Sequence, residues 1–348
     1  MQYSEAINRV APACKHRPSC QVCAGSLNLC LARISALREP KFASLAGMAS
    51  SAKPQRVPRT PASREVITSR DNRWLKEFRV ALRGGLQTES GCIGVEGVRL
   101  VEEALSSPNG VCAVLFSESG ERHRERLAPF IARPEISLPV LRTTDRLFEG
   151  IADTEHPQGV AALVKAPEAV FDDLLKIPAG SLSPLVAVLA GVQDPGNVGT
   201  ILRTAAAFGA TGAVTTTTGQ SGTANAYSPK ALRASAGAAL HLPVLAGMSL
   251  TILLTQLKMN GVFTLASCLQ GDPQSGGDSL SPWEVDWQQP IALLIGNEGA
   301  GLPEEIIRSA DARVHIPMGT RVESLNAAAA AAVLFYEAFR QRFPRPGG

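Results

Sequence analysis

The stretch His315 to Glu337, HIPMGTRVESLNAAAAAAVLFYE, constrains this chain more than any other. It joins a short apolar strand end, Val314 to Met318, to a polar turn, Gly319 to Glu323, and then to a helix. The helix opens on Ser324 or Asn326, residue types whose side chains accept hydrogen bonds from the unpaired amides of a first turn. The alanine run Ala327 to Ala332 that follows has the highest intrinsic helix propensity. It has almost no side-chain bulk, so such a helix can approach another backbone closely. The pattern predicts a helix packed into a tight place rather than one displayed to water.

Upstream, apolar runs alternate with helical periods. Strands are expected at Leu185 to Leu189, Gly212 to Thr216, Leu242 to Leu245, Val262 to Ser267 and Ile291 to Ile295. Helices are expected between them near Val198 to Phe208, Pro229 to Ala236, Ser249 to Met259 and Pro303 to Ser309. Near-continuous apolar runs such as PLVAVLAGV and PIALLIG suit a parallel sheet covered on both faces. A ligand then belongs at the carboxyl ends of the strands. A smaller α/β unit precedes this one. Its strands fall at Cys92 to Val95, Val111 to Phe116 and Leu138 to Leu141, and its helices at Glu96 to Leu105 and Gly120 to Ile131. Before it, Ile67 to Leu82 reads as an amphipathic helix capped at Ser69 or Asp71, with Arg70, Arg73, Lys76, Arg79 and Arg83 opposite its apolar face. That basic face is either solvated or RNA-binding.

The 348 residues divide as 1–63, a basic extension expected to be disordered; 64–165, the small α/β unit; 166–184, a proline-bearing linker; and 185–345, the larger α/β unit. Net charge is +3, but residues 1–63 hold nine Lys or Arg against two acids, leaving the rest of the chain acidic on balance. RNA binding would therefore need a local patch or the basic extension. Four of the seven cysteines lie in the first thirty residues, where Cys20 and Cys23 have zinc-like spacing. The flanking gaps match no common zinc module, and no metal is expected. No apolar run is long enough to span a bilayer, nor is there a signal-peptide segment. A cytoplasmic protein is expected.

Three separated motifs carry a more specific signal. Asp194 to Phe208 reads DPGNVGTILRTAAAF, Leu294 to Leu302 reads LIGNEGAGL, and the opening stretch contains Ile316-Pro-Met and Ser324-Leu-Asn before the alanines. In order and near spacing they resemble the three signatures of the SpoU (TrmH) family of RNA ribose 2′-O-methyltransferases, in the SPOUT superfamily. The segments GCIGVEGVRLVEEAL and IADTEHPQGVAALV resemble the family's L30e-like substrate-binding domain more loosely. The resemblance implies an α/β fold: a SPOUT-type parallel sheet with a deep C-terminal trefoil knot, preceded by an L30e-like domain that binds RNA. It further implies S-adenosylmethionine as methyl donor, rRNA or tRNA as substrate, a homodimer and no metal.

The same resemblance assigns roles. Asn197, Arg203, Glu298, Ser324 and Asn326 would form the catalytic set; Gly296, Ile316, Met318 and Leu325 would hold the cofactor. From residue type alone Arg203 could be a solvated helix residue, and Asn197 and Asn326 could be caps. Arginine is a poor proton acceptor, so Arg203 suits fixing a phosphate and stabilising an alkoxide better than acting as a base. Lys230 and Arg233 either face RNA or are solvated. His156, His241 and Cys268 are expected to be structural. The alternative function is a non-catalytic RNA-binding or ribosome-assembly factor on the same scaffold.

Overall fold

The computed structural model describes residues 66–132, 138–178, 182–217, 222–269, 279–319 and 324–343, all within one compact unit, Arg59–Gly348. The basic extension, the Cys20/Cys23 pair and most of the Gly319 to Glu323 turn lie outside the described residues.

The first sheet contains β1 (Val66–Ile67), β2 (Cys92–Glu96), β3 (Val111–Phe116), β4 (Val140–Thr143) and β5 (Val160–Lys165), in the order β1-β4-β3-β5-β2. Its helices are α1 (Arg73–Leu82), α2 (Val98–Ser106), α3 (Arg124–Ile131) and α4 (Asp145–Glu149). β5 runs antiparallel between β3 and β2. No strand is expected there from the sequence; its partners are distant in the chain. α1 begins later than its periodicity suggests: Asn72, not Ser69 or Asp71, is the cap, accepting from the Trp74 amide at 2.9 Å. Ile67 belongs instead to β1. Glu96 likewise ends β2 rather than opening α2. Its carboxylate is 5% exposed and accepts from the Asp153 amide and the Thr154 hydroxyl, partners that a helical position would not give it.

After the short helix α5 (Phe171–Leu174), which interrupts the expected linker, comes the second sheet. Its strands are β6 (Leu185–Ala190), β7 (Gly212–Thr217), β8 (Val244–Ser249), β9 (Phe263–Cys268), β10 (Ile291–Gly296) and β11 (Ala312–His315). Every pairing in the order β11-β9-β10-β6-β7-β8 is parallel. The helices are α6 (Pro195–Ala207), α7 (Pro229–Ala234), α8 (Leu250–Met259), α9 (Glu304–Ser309) and α10 (Ala327–Arg342). The sheet grows one way through β7 and β8. The chain then crosses to the other side for β9, and β10 fills the gap beside β6. The reversal between β6 and β10 makes their carboxyl ends the switch point where open parallel sheets hold ligands.

The alanine run behaves as its bulk dictates. Ala328, Ala331 and Ala338 of α10 are buried with Leu334 and Phe335 against the sheet and α6. Burying the Phe335 ring alone stabilises by roughly 2–3 kcal/mol. Close approach recurs at Gly199 in α6, where a Cβ would sit 2.2 Å from the Ala231 carbonyl oxygen and 2.7 Å from the Ala234 Cβ. Only glycine lets α6 and α7 meet there. At its far end α10 is anchored by Arg342, 5% exposed, which donates to the carbonyls of Ser183, Pro184, Trp287 and Gln289. Burial pushes its pKa down to about 10.

The two sheets share one apolar cluster, in which Val101 and Val164 join Leu232 and Leu240. Asn109 Nδ2 donates to the Leu240 carbonyl at 2.6 Å. Arg233 pairs with Asp153 at 2.7 Å and His241 with Glu103 at 3.3 Å. Arg233 is thus tied across the seam between the sheets instead of being simply solvated.

Candidate active site

The three motifs leave the carboxyl ends of β6, β10 and β11, and the sheet brings those ends together. Ala190 and Gly296 are register partners in β6 and β10. Beyond β6 the backbone turns into α6, whose cap is Asp194: its side chain accepts from the Asn197 amide at 3.3 Å. The expected cap, Asn197, is displaced three residues into the helix because Pro195 occupies the first helical position, where a missing N–H costs nothing. The Asn197 side chain is therefore left for other work.

That work is a bridge. Asn197 Nδ2 donates to Glu298 Oε1 at 3.0 Å, and Asn326 Nδ2 donates to Asn197 Oδ1 at 3.1 Å. Glu298 also accepts from the backbone amides of Gln193 at 3.1 Å and Asp194 at 3.2 Å. Asn326 caps α10 at the same time, its Oδ1 accepting from the Ala328 amide at 2.9 Å and the Ala329 amide at 3.3 Å. One residue from each motif thus meets in a chain of polar contacts. Burial alone would raise the Glu298 pKa; hydrogen bonds from Asn197 and from the amides of Gln193, Asp194 and Glu298 itself outweigh it and hold the carboxyl below its ordinary value. Asp194 is held low too, chiefly by Lys230, whose ammonium lies 2.5 Å from Oδ1. Lys230 is thereby committed to the α6 cap.

Beside this bridge lies a cavity of about 230 Å³. Its walls come from the ends of β9, β10 and β11 and the start of α10: Cys268, Ile295, Leu302, Ile316, Met318, Leu325 and Ala330 among them. Gly296 to Gly301 form one rim. This loop is folded on Asn297, whose Oδ1 accepts from the amides of Gly299 and Ala300 at 2.9 Å while its Nδ2 donates to the Gly191 carbonyl at 2.9 Å. Gly301 has φ +68°, and a Cβ on Gly296 would lie 2.3 Å from the Gly301 carbonyl carbon. Among the described lining residues Glu298 carries the sole formal charge. An apolar slot whose described lining carries one carboxylate is suited to a flat, partly apolar ligand bearing positive charge.

Comparison with known proteins decides the family. Residues 184–336 match the SpoU rRNA Methylase family, and residues 95–170 match the RNA 2′-O ribose methyltransferase substrate binding family. The chain is 32% identical over 271 residues to the 23S rRNA (guanosine(2553)-2′-O)-methyltransferase RlmP of Bacillus subtilis, covering 78% of this chain and 97% of that one. This chain belongs to the SpoU family.

Solved methyltransferase structures agree. An AdoMet-bound rRNA methyltransferase from Sinorhizobium meliloti superposes with a TM-score of 0.66 at 27% identity, covering 80% of this chain and 98% of that one. The SpoU methyltransferase AviRb from Streptomyces viridochromogenes, in complex with AdoMet, gives 0.64 at 29% identity over 78% and 98%.

Of the signature residues, the fold gathers Glu298, Ser324, Gly296, Ile316, Met318 and Leu325 at the cavity, with Asn197 and Asn326 joined to Glu298 behind it. It does not gather Arg203. That side chain lies on the exposed face of α6, with no ion pair among the described residues and no place in the cavity wall. Two residues contribute in ways the sequence does not assign to them. Asn297 folds the glycine loop, and its signal is an amide-bearing residue directly after Gly296 in a run with glycines at 299 and 301. Cys268, expected to be structural, lines the cavity from the end of β9, a position that apolar periodicity does not distinguish from core.

Proposed function

We propose that the protein transfers a methyl group from S-adenosylmethionine to a ribose 2′-hydroxyl of RNA, with rRNA as the substrate class. The observation that carries this is the meeting of the three SpoU motifs around a cavity whose chemistry fits the donor: apolar walls for a purine and, among the described residues, the Glu298 carboxylate as the charged lining group for a sulfonium. Ile316, Met318 and Leu325 would hold the adenine side and Gly296 the backbone contacts. When bound, the cofactor supplies an electrophilic methyl group on sulfur.

The chain's own residues then have to orient the acceptor and stabilise the charge that develops on its oxygen. Glu298, Asn197 and Asn326 form a polar rim, bonded to one another, to the Gln193 and Asp194 amides and to the first turn of α10, with Ser324 beside them on the cavity wall. Arg203, permanently charged, would grip the phosphate next to the target ribose and stabilise the developing alkoxide.

We infer that Arg203 does so from a second copy. α6 and α10 pack side by side, Phe208 lying 5.7 Å from the rings of Tyr336 and Phe339. The outer face of α10 exposes Val333, Tyr336 and Phe343. A homodimer that covers this stripe carries Arg203 to a neighbouring surface. Residues 64–165, with Arg70, Arg73, Lys76, Arg79 and Arg83 on or beside α1, form the RNA-binding domain in this reading, and 185–345 the methyltransferase domain with the family's knotted threading. The setting is cytoplasmic; among the described residues no helix is long and apolar enough to cross a membrane.

The test is incubation with labelled S-adenosylmethionine and separated rRNA and tRNA pools from a strain lacking the gene, followed by mass-spectrometric mapping of ribose methylation. Label in one ribose of rRNA is expected. Binding of RNA without transfer to either pool would favour the assembly-factor reading instead.

A further inference from the structure

A second site lies in the first sheet, away from the cavity. Cys92 opens β2 and Cys112 is the second residue of β3, with β5 running between the two strands. The register of β3 against β5 shifts between Val111 and Ala113, so Cys112 is the extra residue of a bulge. A bulge re-aims the side chain it carries. Here it brings the Cys112 Sγ to 2.7 Å from the Cys92 Sγ. Cys92 is buried and Cys112 half-buried, so the pair is reached through Cys112.

The separation decides what the pair can do. Two thiolates sharing a tetrahedral zinc, with Zn–S bonds of about 2.3 Å, would stand roughly 3.7 Å apart. A disulfide brings its sulfurs to about 2.05 Å. The observed spacing is too short for a shared ion and lies nearer to a bond than to an ordinary contact between sulfurs. We propose that Cys92 and Cys112 are an oxidisable dithiol that closes to an intrachain disulfide, with a hydroperoxide as the oxidant.

The chemistry balances in two steps. One sulfur, as thiolate, attacks the peroxide oxygen, giving a sulfenic acid and releasing water or an alcohol. The other sulfur displaces hydroxide from the sulfenic sulfur, the S–S bond forms, and hydroxide leaves as water with the second thiol proton. The pair loses two electrons and two protons, and the peroxide is reduced. The Cys112 thiol is pushed up to about 12, first by burial and then by its contact with Cys92, with Lys165 opposing and Glu77 adding to the shift. Little of the Cys112 thiol is ionised at neutral pH, so attack through Cys112 answers sustained rather than brief peroxide exposure. The bond would tie the beginnings of β2 and β3 together behind α1. The inference does not depend on the methyltransferase reading.

The test uses the full reduced chain, treated with hydrogen peroxide, alkylated, and digested with trypsin without reductant. Cys92 and Cys112 fall in separate tryptic peptides, residues 84–99 and 100–122. The joined peptide is expected to exceed any other cysteine pairing by roughly tenfold or more, as proximity dictates. It should vanish with dithiothreitol, in Cys112→Ser, and lose its excess when oxidation is done in guanidinium. The proposal is overturned if both cysteines stay alkylatable while others oxidise, or if Cys112 proceeds to sulfinic acid with Cys92 untouched. It is equally overturned if zinc shields both thiols and peroxide yields no link.

Discussion

Replacing Glu298 with Gln removes a charge while keeping the shape of the side chain. The carboxylate accepts from three donors, two on Oε1 and one on Oε2. A glutamine can present its oxygen to the Asp194 amide and Asn197 Nδ2, but its NH2 then faces the Gln193 N–H. One charge-assisted bond is replaced by two opposed donors, and the others weaken to neutral strength. Hydrogen bonds to charged groups contribute roughly 1.5–3 kcal/mol when buried. Glu298 is exposed, so solvent screening reduces this to an expected loss of about 1 kcal/mol. The sign with pH follows from the depressed folded pKa. The contribution is fully present above the unfolded carboxyl value, about 4.3, and is lost as pH falls through the lower folded value. Urea unfolding of both proteins should show the gap at pH 7.5 and its closure in acid. A gap of equal size at both pH values, or none at pH 7.5, would refute the reasoning.

Other outcomes follow from the same geometry. Gly199→Ala forces a Cβ into the Ala231 carbonyl and should destabilise by about 1–3 kcal/mol in urea. Asn326→Ala removes the α10 cap, costing about 1 kcal/mol, and should lower methyl transfer by freeing Asn197, whereas Asn326→Asp should keep the cap. Arg203→Ala should leave stability unchanged, since the side chain is exposed and unpaired among the described residues, and should abolish transfer with cofactor affinity nearly intact. Dimers assembled from one Arg203→Ala chain and one Gly296→Ala chain should regain about half the native activity if each arginine serves the neighbouring copy; no recovery would confine Arg203 to its own chain.

Much of this was legible because the local signals were unambiguous. The apolar runs of β6 and β10 suit covered strands, and the alanines of α10 suit a tightly packed helix. Boundaries were lost where two residues offered the same chemistry. Asp194 and Asn197 are both capable caps, and the proline between them was the clue that chose Asp194. Asn72 likewise displaced Ser69 and Asp71. β5 escaped notice because its pairing lies with strands distant in the chain. The union of Glu298 with Asn197, and the commitment of Lys230 to Asp194, are consequences of the β6–β10 register, which no local pattern states. Arg203 shows the opposite limit: its motif marked it plainly, yet the single chain leaves it on open surface.

The placement of the donor is tested most directly by calorimetric titration of S-adenosylmethionine into the native chain and into Gly296→Ala. The substitution drives a Cβ into the Gly301 backbone at the rim of the cavity. Saturable binding to the native protein is expected, with no detectable binding to a Gly296→Ala protein whose circular dichroism is native. Undiminished affinity in that variant would contradict a cofactor seated between β10 and α10.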